Sequence, residues 1–166
     1  MLEDTILGQK AYAEGNISGT IEAYKKALQP NTVLDRDSRS SLINLFAANP
    51  SAINNLDADK REEVINYLVS LAEANVKYNE HDSMAQMMLA QVYNMAAMYY
   101  VPNNGQQGNI QKFYEYSDKS LAAIDASINA SPRRIPIYFQ KAQILLTRGE
   151  KDKTIEINDG LKSHFL

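Results

Sequence analysis

The chain of 166 residues contains no cysteine. Disulfides, thiolate chemistry and cysteine-ligated zinc are therefore excluded. The absence fits the cytosol and an extracytoplasmic bacterial domain equally. There are two histidines, His81 and His164. Neither has a second histidine three or four places away, the spacing a helical metal site needs. Glycine is sparse, with seven residues. Basic charge is not in surplus: the net charge is −3 and the pI about 5.4. That disfavours nucleic acid, which is usually met by a basic face, and gives no support for docking on anionic lipid. No run reaches the roughly 18 apolar residues of a membrane span. The start, "MLEDTILGQK", lacks the basic opening and apolar core of a signal peptide. The expectation is either a cytosolic protein or a piece of a longer chain.

What remains is 45% hydrophobic and 22% charged, an ordinary globular balance. Apolar residues recur at offsets of three and four, as in Ile17, Ile21, Tyr24 and Leu28. No sustained period-two alternation is present, so no sheet is expected. About eight helices are predicted. The first two run over 2–14 and 17–29, broken at "EGN". A third starts at Asp35 or Asp37 and ends before "NPS". A fourth, capped by Asp57 or Asp59, carries "DADKREEVINYLVSLAEANVKYN". Asp82 or Ser83 caps a fifth, "MAQMMLAQVYNMAAMYY". The sixth to eighth cover 110–130, 134–148 and 151–163. The turn-rich "VPNNGQQGN" at 101–109 is the expected flexible loop. Short connections between helices make antiparallel neighbours.

Two stretches repeat one another. "GNISGTIEAYKKAL" from Gly15 and "GEKDKTIEINDGLK" from Gly149 both carry Thr-Ile-Glu five residues after the glycine. The first unit adds Leu7-Gly8, Tyr12, Thr20, Tyr24, Ala27 and Pro30. A second has Leu89-Ala90, Tyr93, Ser120, Ile124, Ser127 and Pro132, with an insertion loop near 101–109 among the 26 residues between Tyr93 and Ser120. The last has Tyr138, Ala142, Leu145, Gly149 and Thr154, with Asn158 in place of an aromatic. This layout resembles the tetratricopeptide repeat (TPR), in which small residues let two helices approach and large ones fill holes in the next unit. The resemblance implies an all-α, tetratricopeptide-like helical-hairpin solenoid of about four antiparallel helix pairs. It forms one domain over 1–166, with units at 1–34, 35–80 (divergent), 82–132 (with the insertion) and 133–166.

No catalytic set emerges. Asp57, Asp59, Glu62 and Glu63 suit capping and the helix dipole rather than acid–base work. "NNGQQGN" lacks the Lys-Ser/Thr of a phosphate loop. His81 and Asp82 read as junction and cap. No enzyme activity, cofactor or metal is expected. The unusual feature is the methionine run Met84, Met87, Met88, Met95 and Met98, about half of which suits core filling. In the resembled family the first helix of each hairpin lines a groove. Carried over, that puts Thr5, Gln9 and Tyr12, then Met84, Met87, Gln91 and Met95, then Phe139 and Gln143 on a partner-binding face. The Lys, Asn and Arg with which some relatives clamp a peptide carboxylate are absent there. The implied ligand is a protein or peptide held by apolar and amide contacts, with self-association through terminal hairpins as a further expectation. The opposing reading makes Tyr12, Met87, Met95 and Phe139 core residues.

Two longer segments, "YKKALQPNTVLDRDSRSSLINLF" and "SLAAIDASINASPRRIPIYFQKAQILLTRGEKDKTIE", are similar to the soluble tails of bacterial O-antigen ligase or polymerase proteins. That likeness implies a scaffold on the extracytoplasmic face of a membrane glycan-transfer enzyme. The alternative expectation is a free cytosolic TPR adaptor.

Overall fold

The computed structural model describes residues 2–30, 32, 35–101 and 108–157. Among these residues every regular element is helical: α1 (Leu2–Ala13), α2 (Ile17–Leu28), α3 (Asp35–Ala48), a 3₁₀ helix (Pro50–Asn55), α4 (Ala58–Tyr78), α5 (Ser83–Tyr99), α6 (Ile110–Ala130) and α7 (Ile135–Thr147). A last helical stretch occupies 151–157. The 3₁₀ helix was not anticipated. Pro50 sits in its first turn, where a missing N–H costs nothing, and turns the chain between α3 and α4. Most of the loop expected at 101–109, the end of the eighth predicted helix, Asn158 and His164 lie outside the described residues.

Helix starts follow local capping chemistry. The side chains of Asn16, Asp57 and Asn109 each accept from the backbone N–H three residues on, at Gly19, Lys60 and Lys112. Asp82 accepts from Met84 and Ala85. Each satisfies a donor that the first helical turn leaves orphaned.

The chain divides into two compact units, residues 1–75 and 76–166, with the boundary inside α4. In the first unit, α1 and α2 form a hairpin joined by Gly15, at φ 76°. The Gly15 N–H donates to Tyr12 O and the Asn16 N–H to Ala11 O. This left-handed glycine cap closes α1 and reverses the chain. The two helices then approach closely. A Cβ added to Gly8 would lie 2.6 Å from ring atoms of Tyr24. The ring is fully buried, and its hydroxyl hydrogen-bonds with Ser41 Oγ of α3 at 2.8 Å. Phe46, Leu42, Ile43, Ile65 and Leu68 complete this core, each side chain contributing about 1.5–3 kcal/mol on burial. A buried amide ties α4 to α3: Asn75 Oδ1 accepts from Arg39 Nε at 2.7 Å, and its Nδ2 donates to Ser40 Oγ.

In the second unit, α5 and α6 pack along most of their length. Small residues on both sides allow it. Ala90, Ala96 and Ala97 of α5 and Ser117, Ser120 and Ser127 of α6 have no exposed surface. The Ser120 and Ser127 hydroxyls donate to Ala90 O (2.7 Å) and Ser83 O (2.6 Å), so the contact carries no unpaired hydroxyl. Beyond Tyr93 the α5–α6 hairpin closes on aromatic rings. Tyr100 stacks on Tyr116 at 5.7 Å and packs with Phe113 and Ala97, while the Lys112 ammonium lies 4.7 Å from the Tyr100 ring. The turn after α7 repeats the first one bond for bond. Gly149 has φ 79°, its N–H donates to Leu146 O, and the Glu150 N–H donates to Leu145 O. Thr20 and Thr154 follow, buried, their hydroxyls bonded to Asn16 O and Glu150 O. Arg148 fastens this turn to α6 through Ser117 Oγ (2.9 Å) and Asp118 (2.6 Å), with Glu150 on its other nitrogen.

Gly8→Ala should destabilise the protein despite alanine's helix preference of about 1 kcal/mol. The new methyl meets a buried ring that cannot swing away, and overpacking costs about 1–3 kcal/mol. Gly8→Leu should cost more. Thermal melts check this; midpoints unchanged in both variants would contradict the contact. Acid should also destabilise. The Lys60 N–H holds Asp57 below its usual pKa, Lys119 does so for Glu115, and Lys153 with Arg148 does so for Glu150. Groups with a depressed folded pKa stabilise above the ordinary carboxylate values, near about 4, and lose that contribution as pH falls through them. Melting followed from pH 7 downward should show a plateau, then a fall below about pH 4.

Candidate functional site

The residues expected on the binding face fall into two separate groups, one in each unit. In the first unit, Thr5, Gln9 and Tyr12 stand on the face of α1 turned to α3. They meet it rung by rung: Thr5 Oγ1 with Ser38 Oγ at 3.1 Å, Gln9 Nε2 donating to Ser41 Oγ at 3.0 Å, and the Tyr12 hydroxyl donating to Leu45 O at 2.8 Å. Thr5 is buried, so its hydroxyl serves the α1–α3 contact. Tyr12 is half-buried with its ring edge against Phe46 at 5.4 Å, and burial raises its phenol pKa. Gln9 is exposed. Beside Tyr12 lies an open depression of about 540 Å3 whose wall is the outer face of α3: Asp37, Ser40, Ser41, Asn44 and Leu45. Asp37 and Asn44 are exposed. Sequence reasoning missed this wall because residues 35–79 carry no alignable repeat residues. The available signal was Ser38, Ser41 and Leu45, whose three- and four-residue spacing is in phase with Thr5, Gln9 and Tyr12.

In the second unit, Met84, Met87, Gln91 and Met95 follow one another at intervals of three and four along α5, all half-buried. Gln91 Nε2 donates to Gln140 Oε1 of α7 at 3.2 Å, which places α7 alongside this row. The methionine run divides by position: Met88 is core, Met84, Met87 and Met95 are intermediate, and Met98 is exposed. On α7, Phe139 is 60% exposed and Gln143 is also exposed. None of Tyr12, Met87, Met95 and Phe139 is a fully buried residue.

The crystal structure of a thermophilic TPR protein from Thermus thermophilus is similar to this chain over 94% of its length and 70% of the other's, with a TM-score of 0.60 and 16% identity. The fold is tetratricopeptide-like. No family model matches the sequence, and no curated protein does. The residues above lie on α1, α3, α5 and α7.

Two of the carboxylates weighed for acid–base work, and the cap residue Asp82, have structural partners. Asp57 caps α4, Glu63 pairs with Lys25 at 2.9 Å, and Asp82 caps α5. His81 is exposed. Among the described residues no three His, Asp or Glu side chains are grouped to hold a metal ion.

Phe139→Ser should leave stability nearly unchanged, within about 0.5 kcal/mol, as for other exposed positions. Phe46→Ser, at a fully buried ring, should cost several kcal/mol, on the order of the 3–5 measured for deleting core aromatics. Paired denaturant titrations check both. An equal loss in the two would put Phe139 in the core.

Proposed function

We propose that the protein is a non-enzymatic scaffold that holds a protein or peptide segment on the first-helix faces of its hairpins. The observation carrying this reading is the row Met84, Met87, Gln91 and Met95. Flexible, half-exposed thioethers at helical spacing adapt to apolar side chains of a partner. Gln91 stands among them with an amide that can pair with a peptide backbone once released from Gln140. Phe139 and Gln143 add an exposed ring and amide at the border of that row. In the first unit, Gln9, Tyr12, Asn44 and Asp37 make a more polar face, whose one formal charge is negative. No Lys or Arg lines either face, so a ligand held through its terminal carboxylate is disfavoured. The fold supports protein partners by analogy only.

A finer reading makes the chain the extracytoplasmic TPR part of a membrane O-antigen-type ligase or polymerase. It is supported by the likeness of the Tyr24–Phe46 and Ser120–Glu156 segments to such tails. No helix among the described residues is long and apolar enough to cross a membrane. On this reading the natural reading frame continues upstream into apolar spans of about 20 residues. A frame that opens at Met1 would favour the free adaptor.

Selection from a displayed library of random peptides tests the scaffold reading. Enriched peptides should carry apolar side chains at regular spacing and no required terminal carboxylate. The Met87→Ser, Met95→Ser double variant, shown by circular dichroism to be folded, should bind them at least about tenfold more weakly, a loss of roughly 1.4 kcal/mol. No enrichment, or undiminished binding by the folded variant, would overturn it.

A further inference from the structure

The two matching turns allow the last hairpin to be compared with the first, position by position. Thr5, Gln9 and Tyr12 stand ten, six and three residues before Gly15, and Ile21 six after it. Phe139, Gln143, Leu146 and Ile155 stand at the same distances from Gly149. In the first hairpin this face is covered. Thr5, Gln9 and Tyr12 meet Ser38, Ser41 and Leu45 of α3, which touches both α1 and α2, and Ile21 is 6% exposed. In the last hairpin the same positions are open. Phe139 is 60% exposed, Leu146 54% and Ile155 57%, and Gln143 is exposed as well. The fold thus presents a finished helix-stacking face, larger and more apolar than its counterpart, with no described helix on it.

We propose that this face pairs with the same face of a second copy of the chain, forming a two-fold dimer. Charge and hydrogen-bonding chemistry select that occupant. The four residues carry no formal charge, so two copies meet without like-charge opposition. The one polar group, the Gln143 carboxamide, is both donor and acceptor and is therefore complementary to itself. Exposed Lys151 and Glu156 flank Ile155 with opposite signs, which lets the rim of one copy pair with that of the other across a two-fold axis. The dimer face shares Phe139 and Gln143 with the proposed ligand face, and a dimer would cover that part of it. Phe139 and Gln143 also border the methionine row, so the decisive positions are Leu146 and Ile155.

Sedimentation velocity from about 5 µM to 1 mM, concentrations that bracket weak protein association, reads the equilibrium. The wild-type protein should pass from monomer to dimer as concentration rises and stop there. Leu146→Glu and Ile155→Glu replace exposed side chains, so circular dichroism should show both folded. Each should raise the midpoint concentration at least tenfold. Ile6→Glu should leave it unchanged. A monomer throughout the range would overturn the proposal. So would assemblies that grow beyond two, an unaltered midpoint in folded Leu146→Glu and Ile155→Glu, or loss of the dimer in Ile6→Glu.

Discussion

The structure depends on close contact between the two helices of a hairpin at positions where side chains are small. Gly8 admits the Tyr24 ring directly against the α1 backbone. Ser120 and Ser127 bring α6 close enough to hydrogen-bond the carbonyls of α5. A helix pair held at that distance has one face committed to its partner. Its remaining surface must then be used for stacking on another helix, for binding, or for solvent. The function of this chain turns on how those remaining faces are used.

The use differs between the units. In the first, polar side chains do most of the work at the α1–α3 contact: Thr5 with Ser38, Gln9 with Ser41, and Tyr12 with the Leu45 carbonyl. Such a contact is directional and tolerates water at its edge. In the second, the corresponding chemistry is carried by thioethers and one amide pair. Methionine gives little directional specificity but fills irregular contours.

The fold was legible in the sequence because its determinants are local. Capping side chains, glycine turns and three-four spacing act within a few residues, and Asn16, Asp57, Asp82, Gly15 and Gly149 perform those roles. The repeated Thr-Ile-Glu after glycine marked a turn that recurs bond for bond. The stretch 35–78 escaped repeat recognition because its packing residues include Ser38 and Asn75, and polar residues in helices read as surface. Their burial is set by partners more than thirty residues away in sequence. For the same reason the fate of the methionines was not readable. Periodicity places Met88 next to Met87, but only the packing of α6 and α7 decides that one is core and the other half-open. Thr5 shows the limit in the other direction: its helix position suited a binding face, yet its hydroxyl is consumed by Ser38.

The methionines also supply the most direct readout of the central claim, that the half-open face of α5 receives the ligand. Methyl-labelled methionine NMR reports each of them during titration with a selected peptide. The Met84, Met87 and Met95 signals are predicted to move together and saturate at one peptide per chain. Met88, buried in the core, should stay in place. Met84, Met87 and Met95 signals that stay unmoved at saturating peptide would contradict the claim.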